Sequence, residues 1–120
     1  PWNWFMSKHR NYPRDFQNVL KLCKNKNIAV QTIKAVAKGP YAAGMEKKHA
    51  PWYQPLDDQY SIQKSVDWVL NHKDIFLNSL GDVNILPLVL EAASNLGKIP
   101  SDEEMNELEN KMGLASIFGV

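Results

Sequence analysis

Cysteine, net charge and long apolar runs are all scarce in this sequence, and each shortage removes a class of protein. A single cysteine, Cys23, in 120 residues excludes an internal disulfide, a zinc knuckle and a cysteine-held iron–sulfur cluster. A lone thiol fits a reducing compartment. Fourteen Lys and Arg against 13 Asp and Glu leave a formal charge of +1, so overall charge favours neither wrapping of nucleic acid nor an anionic membrane surface. No apolar run approaches the roughly 18 residues that span a bilayer. The opening Pro1 to Met6 has neither the basic start nor the small-residue cleavage site of a signal peptide. The expectation is a cytoplasmic protein with no nucleic acid and no membrane partner. The chain also starts inside an aromatic stretch that reads as the end of a strand, so we expect a piece of a longer protein.

What is present is core material. Apolar residues make up 44% of the chain, with four Trp, four Tyr and four Phe, enough to build one compact domain and too much for a disordered segment. From Pro13, whose fixed φ suits a first helical position, Phe16, Val19, Leu20 and Cys23 recur with the spacing of one buried face and predict a helix over 14–25. Lys21, Lys24 and Lys26 complement the end of that helix. Ile28 to Lys34 is short and β-branched, bounded by Asn27 and Gly39-Pro40, and reads as a buried strand. The span 38–59 has neither helical nor strand period and reads as a long loop. Asp57 and Asp58 stand where a cap is needed before a helix over 60–71 whose face is Ile62, Ser65, Val66 and Val69. Ile75 to Asn78 is a second short strand. Pro87 is tolerated only in a first turn, so the next helix starts near Asn84. Ser101 to Glu104 forms a capping box before Met105, Leu108 and Met112. Gly113 ends that helix, and the apolar tail from Leu114 to Val120 must dock on the rest.

Strand end, helix, strand, loop, helix, strand, helix, helix, with no hairpin turn between strands, predicts α/β architecture with parallel strands and outer helices. Three strands leave edges unpaired and suggest part of a barrel. The stretches Gln31 to Pro40, Trp52 to Asp58 and Gly81 to Pro87, in that order, resemble the C-terminal half of the aldo/keto reductases, in a bacterial or archaeal branch. The resemblance covers nearly the whole chain. It implies a partial (β/α)8 TIM barrel of about three strands, since the whole barrel takes roughly 250 residues. Pro1 to Trp4 would end strand six, Ile28 to Lys34 would form strand seven, and Ile75 to Asn78 strand eight.

For chemistry the resemblance implies hydride transfer between NADP or NAD and a small carbonyl substrate, with a Tyr proton donor among Asp, Lys and His. Those four groups belong to the family's N-terminal half. Tyr12, Tyr41, Tyr53, Tyr60, His9, His49 and His72 do not sit in the matching motifs, so no catalytic residue is assigned and the chain alone is expected to be inactive. Part of the cofactor pocket is implied instead: Ile33 packing on the nicotinamide, Lys34 beside it, and Val36, Lys38 and Gly39 along the pyrophosphate. After strand eight, Ser79, Gly81 and Asp82 precede a helix start suited to an anion. Asn84 stands where many members carry an Arg for the 2′-phosphate, which leaves the choice of NAD or NADP open. Trp2, Trp4, Trp52 and Tyr53 would line the substrate side.

Several sharper readings fail on the residues themselves. The three histidines lack HxxxH or HExxH spacing, so no metal is expected. Gly39 and Gly44 are spaced as in a P-loop, yet Met45-Glu46 stands where Lys and Ser or Thr are required. Cys23 on an apolar helix face reads as core, and Asp57 and Asp58 as caps. An isolated half-barrel exposes strand edges and predicts self-association. Two alternatives remain: a small non-enzymatic α/β module that docks a partner through Trp52 and Tyr53, and a nucleotide-binding fragment without reductase activity.

Overall fold

A computed structural model describes residues 1–118. The chain turns at once: Asn3 accepts the Met6 amide on its side chain at 2.9 Å and the Ser7 amide on its carbonyl at 3.0 Å. Those two bonds end the extended run and start a 3-10 turn over Met6–Lys8. Pro1 to Trp4 is therefore a loop and not the expected strand end. The Trp2 amide donates to the Ile33 carbonyl and the Asn3 side-chain amide to the Lys34 carbonyl, both at 2.9 Å, which ties it to the turn after the first strand.

Helix α1 spans Tyr12–Asn25, with Pro13 in its first turn. It stops where Lys26 returns its amide to the last carbonyls and Asn27 takes φ 54°, a left-handed turn that Asn tolerates better than most residues. The expected buried face is only half realised. Phe16 stacks on Trp2 at 4.0 Å, but Val19 is 56% exposed and no α1 residue is fully buried. Cys23 is half-buried and is not core. The physical reason is one-sided packing: α1 rests chiefly on the 3-10 turn Met6–Lys8 and, through Phe16, on Trp2.

Strand β1, Val30–Thr32, lies parallel to β4, Ile75–Leu77, with Val30 opposite Ile75 and Thr32 opposite Leu77. The alternation is visible in burial: Gln31 and Phe76 face outward, while Thr32 is buried and Val30, Ile75 and Leu77 are half-buried. Between them the chain forms β2, Ala37–Gly39, antiparallel to β3, Gln54–Pro55. This corrects the reading of 38–59 as loop throughout. A two-residue strand that ends on proline carries almost no periodic signal, and Pro55 is confined to positions without a donor requirement.

Helix α2, Gln59–Leu70, is capped by the Asp58 carboxylate on the Ser61 amide and buries Ile62, Val66 and Val69 completely. Helix α3, Leu86–Ser94, has Pro87 in its first turn and packs Val89 and Ala92 on α2. Its tie to α2 is polar as well: the Gln63 side chain donates to the Ala92 carbonyl at 3.1 Å, and just past α3 the Gly97 amide donates to buried Asp67 at 2.8 Å. Helix α4, Asp102–Met112, carries the expected capping box and ends at Gly113, φ 66°. The segment after it docks by the Ala115 amide on the Lys38 carbonyl and by Ile117 among Ala37 and Tyr53; the last two residues of the expected tail, 119 and 120, lie outside the described residues. The main core gathers Trp2, Trp4 and Trp68 with Leu56, Ile62, Val66, Ile85, Met105 and Leu108. No described helix is long and apolar enough to cross a membrane.

Candidate functional site

Both parallel strands end on the same side of the molecule, and each is followed by a turn. After β1 the chain passes through Ile33 and Lys34. Lys34 has φ 70°, a conformation costly for a side chain other than Gly. Its carbonyl is gripped by the Asn3 side-chain amide at 2.9 Å and the Ala37 amide at 3.1 Å, which fixes the turn. After β4 the Asn78 amide bonds to the Thr32 carbonyl at 2.8 Å, and Ser79, Leu80 and Gly81 follow. The long segment between β2 and β3 returns with Ala50, Pro51, Trp52 and Tyr53. These nine residues enclose an open cleft of about 250 Å³.

The chemistry of the cleft is one cation on an aromatic floor. Lys34 Nζ lies 4.1 Å from the Tyr53 ring centre and 5.3 Å from that of Trp52, within the range of cation–π attraction. Partial burial lowers the Lys34 ammonium pKa and raises that of the Tyr53 phenol. Ser79 adds a hydroxyl, and Ile33, Pro51 and Leu80 add apolar walls. The volume falls just below the roughly 300 Å³ at which small-molecule pockets usually begin, so the cleft suits one ring or one anionic group and not a whole dinucleotide.

Of the residues named from sequence, Ile33, Lys34, Ser79, Gly81, Trp52 and Tyr53 converge here. The others lie elsewhere. Trp2 and Trp4 are buried against Phe16 and Trp68, and Trp4 Nε1 donates to Glu109 at 2.7 Å, so both serve the core and not a substrate wall. Val36 is a core residue. Lys38 and Gly39 lie on β2 beside the C-terminal segment, where a Cβ on Gly39 would touch Ala115 at 3.4 Å.

Asp82 is buried and is already committed. Its carboxylate accepts the Ala50 amide at 2.9 Å, the Asn84 amide at 2.8 Å and the Ile85 amide at 3.3 Å. The Ala50 and Asn84 amides are the main causes that hold its carboxyl below the usual range, with Ile85 and His49 adding to them against the effect of burial. The chain's own carboxylate thus takes the amides at the start of α3 that an external anion would need. Asn84 is exposed next to it.

The histidine beside this carboxylate escaped the sequence reading. His49 Nε2 is 3.3 Å from Asp57 Oδ2 and its Nδ1 is 3.5 Å from Asp82 Oδ2. No spacing rule joins positions 49, 57 and 82. Asp57, expected as a cap beside Asp58, is free for this contact because the cap is Asp58 alone. Among the described residues no group of three or more His, Cys, Asp and Glu could hold a metal ion. No family model, characterised protein or solved structure matches the chain.

Proposed function

We propose that this chain is the C-terminal half of an aldo/keto reductase-like, NAD(P)-dependent oxidoreductase, and that the cleft at the ends of β1 and β4 is part of its cofactor pocket. One observation carries the reading: residues from three separated stretches, Ile33 and Lys34, Trp52 and Tyr53, Ser79 and Gly81, surround one cleft. In parallel α/β folds, ligand sites form where the carboxyl ends of strands meet their loops. On this reading the parallel pair is an arc of a (β/α)8 barrel with α1 and α2 outside, and outward-facing Gln31 and Phe76 belong to its interior.

A bound nicotinamide dinucleotide supplies the hydride for a small carbonyl substrate. The residues of this chain would hold one end of it. Ile33 and Trp52 offer flat apolar contact to a ring, Lys34 a positive charge and Ser79 a hydroxyl. None of them is given the proton-donor role, so the chain by itself binds weakly and does not turn over. The open edges of β1 and β4 favour self-association, and the protein is cytoplasmic.

A longer product of the same reading frame tests this. A frame that continues upstream of Pro1 into a barrel half with Asp, Tyr, Lys and His, whose product oxidises NADPH or NADH on addition of a carbonyl compound, is the expected result. A stop upstream of Pro1, or a longer product that oxidises neither, overturns it. The second reading, a non-enzymatic docking module, draws on one observation: Trp52 is 56% exposed beside exposed Phe118, ring centres 6.4 Å apart. Capture of a partner lost in Trp52→Ala, together with an upstream stop, would favour it.

A further inference from the structure

The segment 40–53 has few ties to the body of the protein, yet its last four residues form a wall of the cleft. Its firmest tie is made by the first residue of that wall. The Ala50 amide donates to buried Asp82, and the neighbouring His49 ring lies between two carboxylates, Asp57 between β3 and α2 and Asp82 in the turn before α3. The ring is mostly buried, 16% exposed, and among the described residues Nδ1 has no hydrogen-bond partner, its 3.5 Å approach to Asp82 being an ion-pair contact.

A neutral imidazole carries one N–H and one lone pair. Placed between two carboxylates, either neutral tautomer turns its lone pair toward an anion. Only the imidazolium presents N–H to both. Of the ionisable side chains, Tyr41, Glu46 and Lys48 from its own segment line the same pocket as His49 and Asp57; there Glu46 adds to the anionic side and Lys48 opposes it.

We propose that His49 is a proton-dependent latch: as the imidazolium it clamps segment 40–53 to Asp57 and Asp82, and loss of its proton loosens the Ala50 to Trp52 wall of the cleft, while buried Tyr53 stays anchored beside Ala37 and Ile117. This regulation rests on the reading that the cleft is the ligand site. Its test follows the segment alone, so it stands or falls separately from cofactor binding.

Backbone amide exchange of the 120-residue chain, corrected for intrinsic rates, is measured by NMR across the range in which imidazole groups lose a proton, roughly pH 5 to 8, while the His49 ring proton is followed in the same samples. The Ala50 amide is expected to lose roughly two- to fivefold in protection as the ring deprotonates, the range that a partly exposed ion pair supports. In His49→Gln that pH response disappears, and in Asp57→Asn it shrinks. Unchanged Ala50 protection while His49 titrates, or a wild-type response in His49→Gln, overturns the latch. If His49→Gln does not fold, Asp57→Asn decides: a smaller response supports it and an unchanged one overturns it.

Discussion

Lys34 sets the shape of the cleft in two opposed ways, and replacing it by Gly and by Ala separates them. Its φ of 70° costs a side-chain-bearing residue roughly 1–2 kcal/mol. Its ammonium over Tyr53 and Trp52 returns about 0.5–1 kcal/mol at this exposure. Lys34→Ala loses the cation–π contact and keeps the strained backbone, so it is destabilised by about 0.5–1 kcal/mol. Lys34→Gly loses the same contact and relieves the strain, and against that relief stands the extra freedom of Gly in the unfolded chain, about 0.5–1 kcal/mol. The three contributions nearly cancel. Lys34→Gly is thus expected near wild-type stability and above Lys34→Ala by about 0.5–1 kcal/mol. This reverses the usual rank of Ala over Gly within regular elements. Urea unfolding followed by tryptophan fluorescence reads it, because Trp2, Trp4 and Trp68 are buried together. For a slope near 1.5 kcal/mol/M the two midpoints differ by roughly 0.3–0.7 M. An Ala variant as stable as the Gly variant, or more so, would refute the account of this turn.

Three further outcomes follow from other parts of the molecule. Ser101→Ala removes the oxygen that accepts the Glu104 amide and is expected to lower unfolding free energy by about 1 kcal/mol, with equal stability of the two proteins counting against the capping box. Burial raises the Asp58 carboxyl, but the Ser61 amide and hydroxyl and the charge of Lys111 outweigh it and leave the pKa below the usual value of 3.8. The folded pKa is therefore the lower one. The stabilisation is present above the unfolded value and is lost as pH falls through the folded one, so Asp58→Asn should flatten the acid limb of thermal midpoint against pH, and an unchanged limb would contradict the cap. Sedimentation velocity at micromolar concentration should show species larger than a monomer, driven by the open strand edges and by Val19, Leu22, Ile28 and Phe76, each more than half exposed; a single monomeric boundary would contradict self-association.

Local signals were legible in the sequence where one residue suffices to make them. Ser101 with Glu104, Asp58 before α2, Pro87 in a first turn and Gly113 at a helix end each reflect a backbone donor or dihedral that few residues can satisfy. The β-branched run around Val30 and the short apolar run from Ile75 marked the parallel pair, with both strands shorter than expected, since Ile33 and Asn78 already belong to the turns. What needed tertiary partners was not legible. The spacing of Phe16, Val19, Leu20 and Cys23 describes a face but not what covers it, and α1 leaves Val19 in solvent. The β2 and β3 strands are too short for any period, and their pairing is set by Leu56, whose amide reaches Val36 across the segment they close. In the cleft, the resemblance brought forward Ile33, Lys34 and the Trp52-Tyr53 pair. It also brought forward Asp82 for an anion, a position whose carboxylate the fold uses on its own amides.

The central claim is that the strand-end cleft receives part of a nicotinamide dinucleotide. A titration of the isotope-labelled chain with NADPH and with NADH at millimolar concentration, read by backbone amide shifts, tests it most directly. The account predicts saturable shifts at Ile33, Lys34, Ser79 and Gly81 and at the Trp52 indole, lost in Lys34→Ala, with Ala29 and Asp74 at the opposite ends of the strands unmoved. No shifts, or shifts spread evenly over exposed amides, would contradict it.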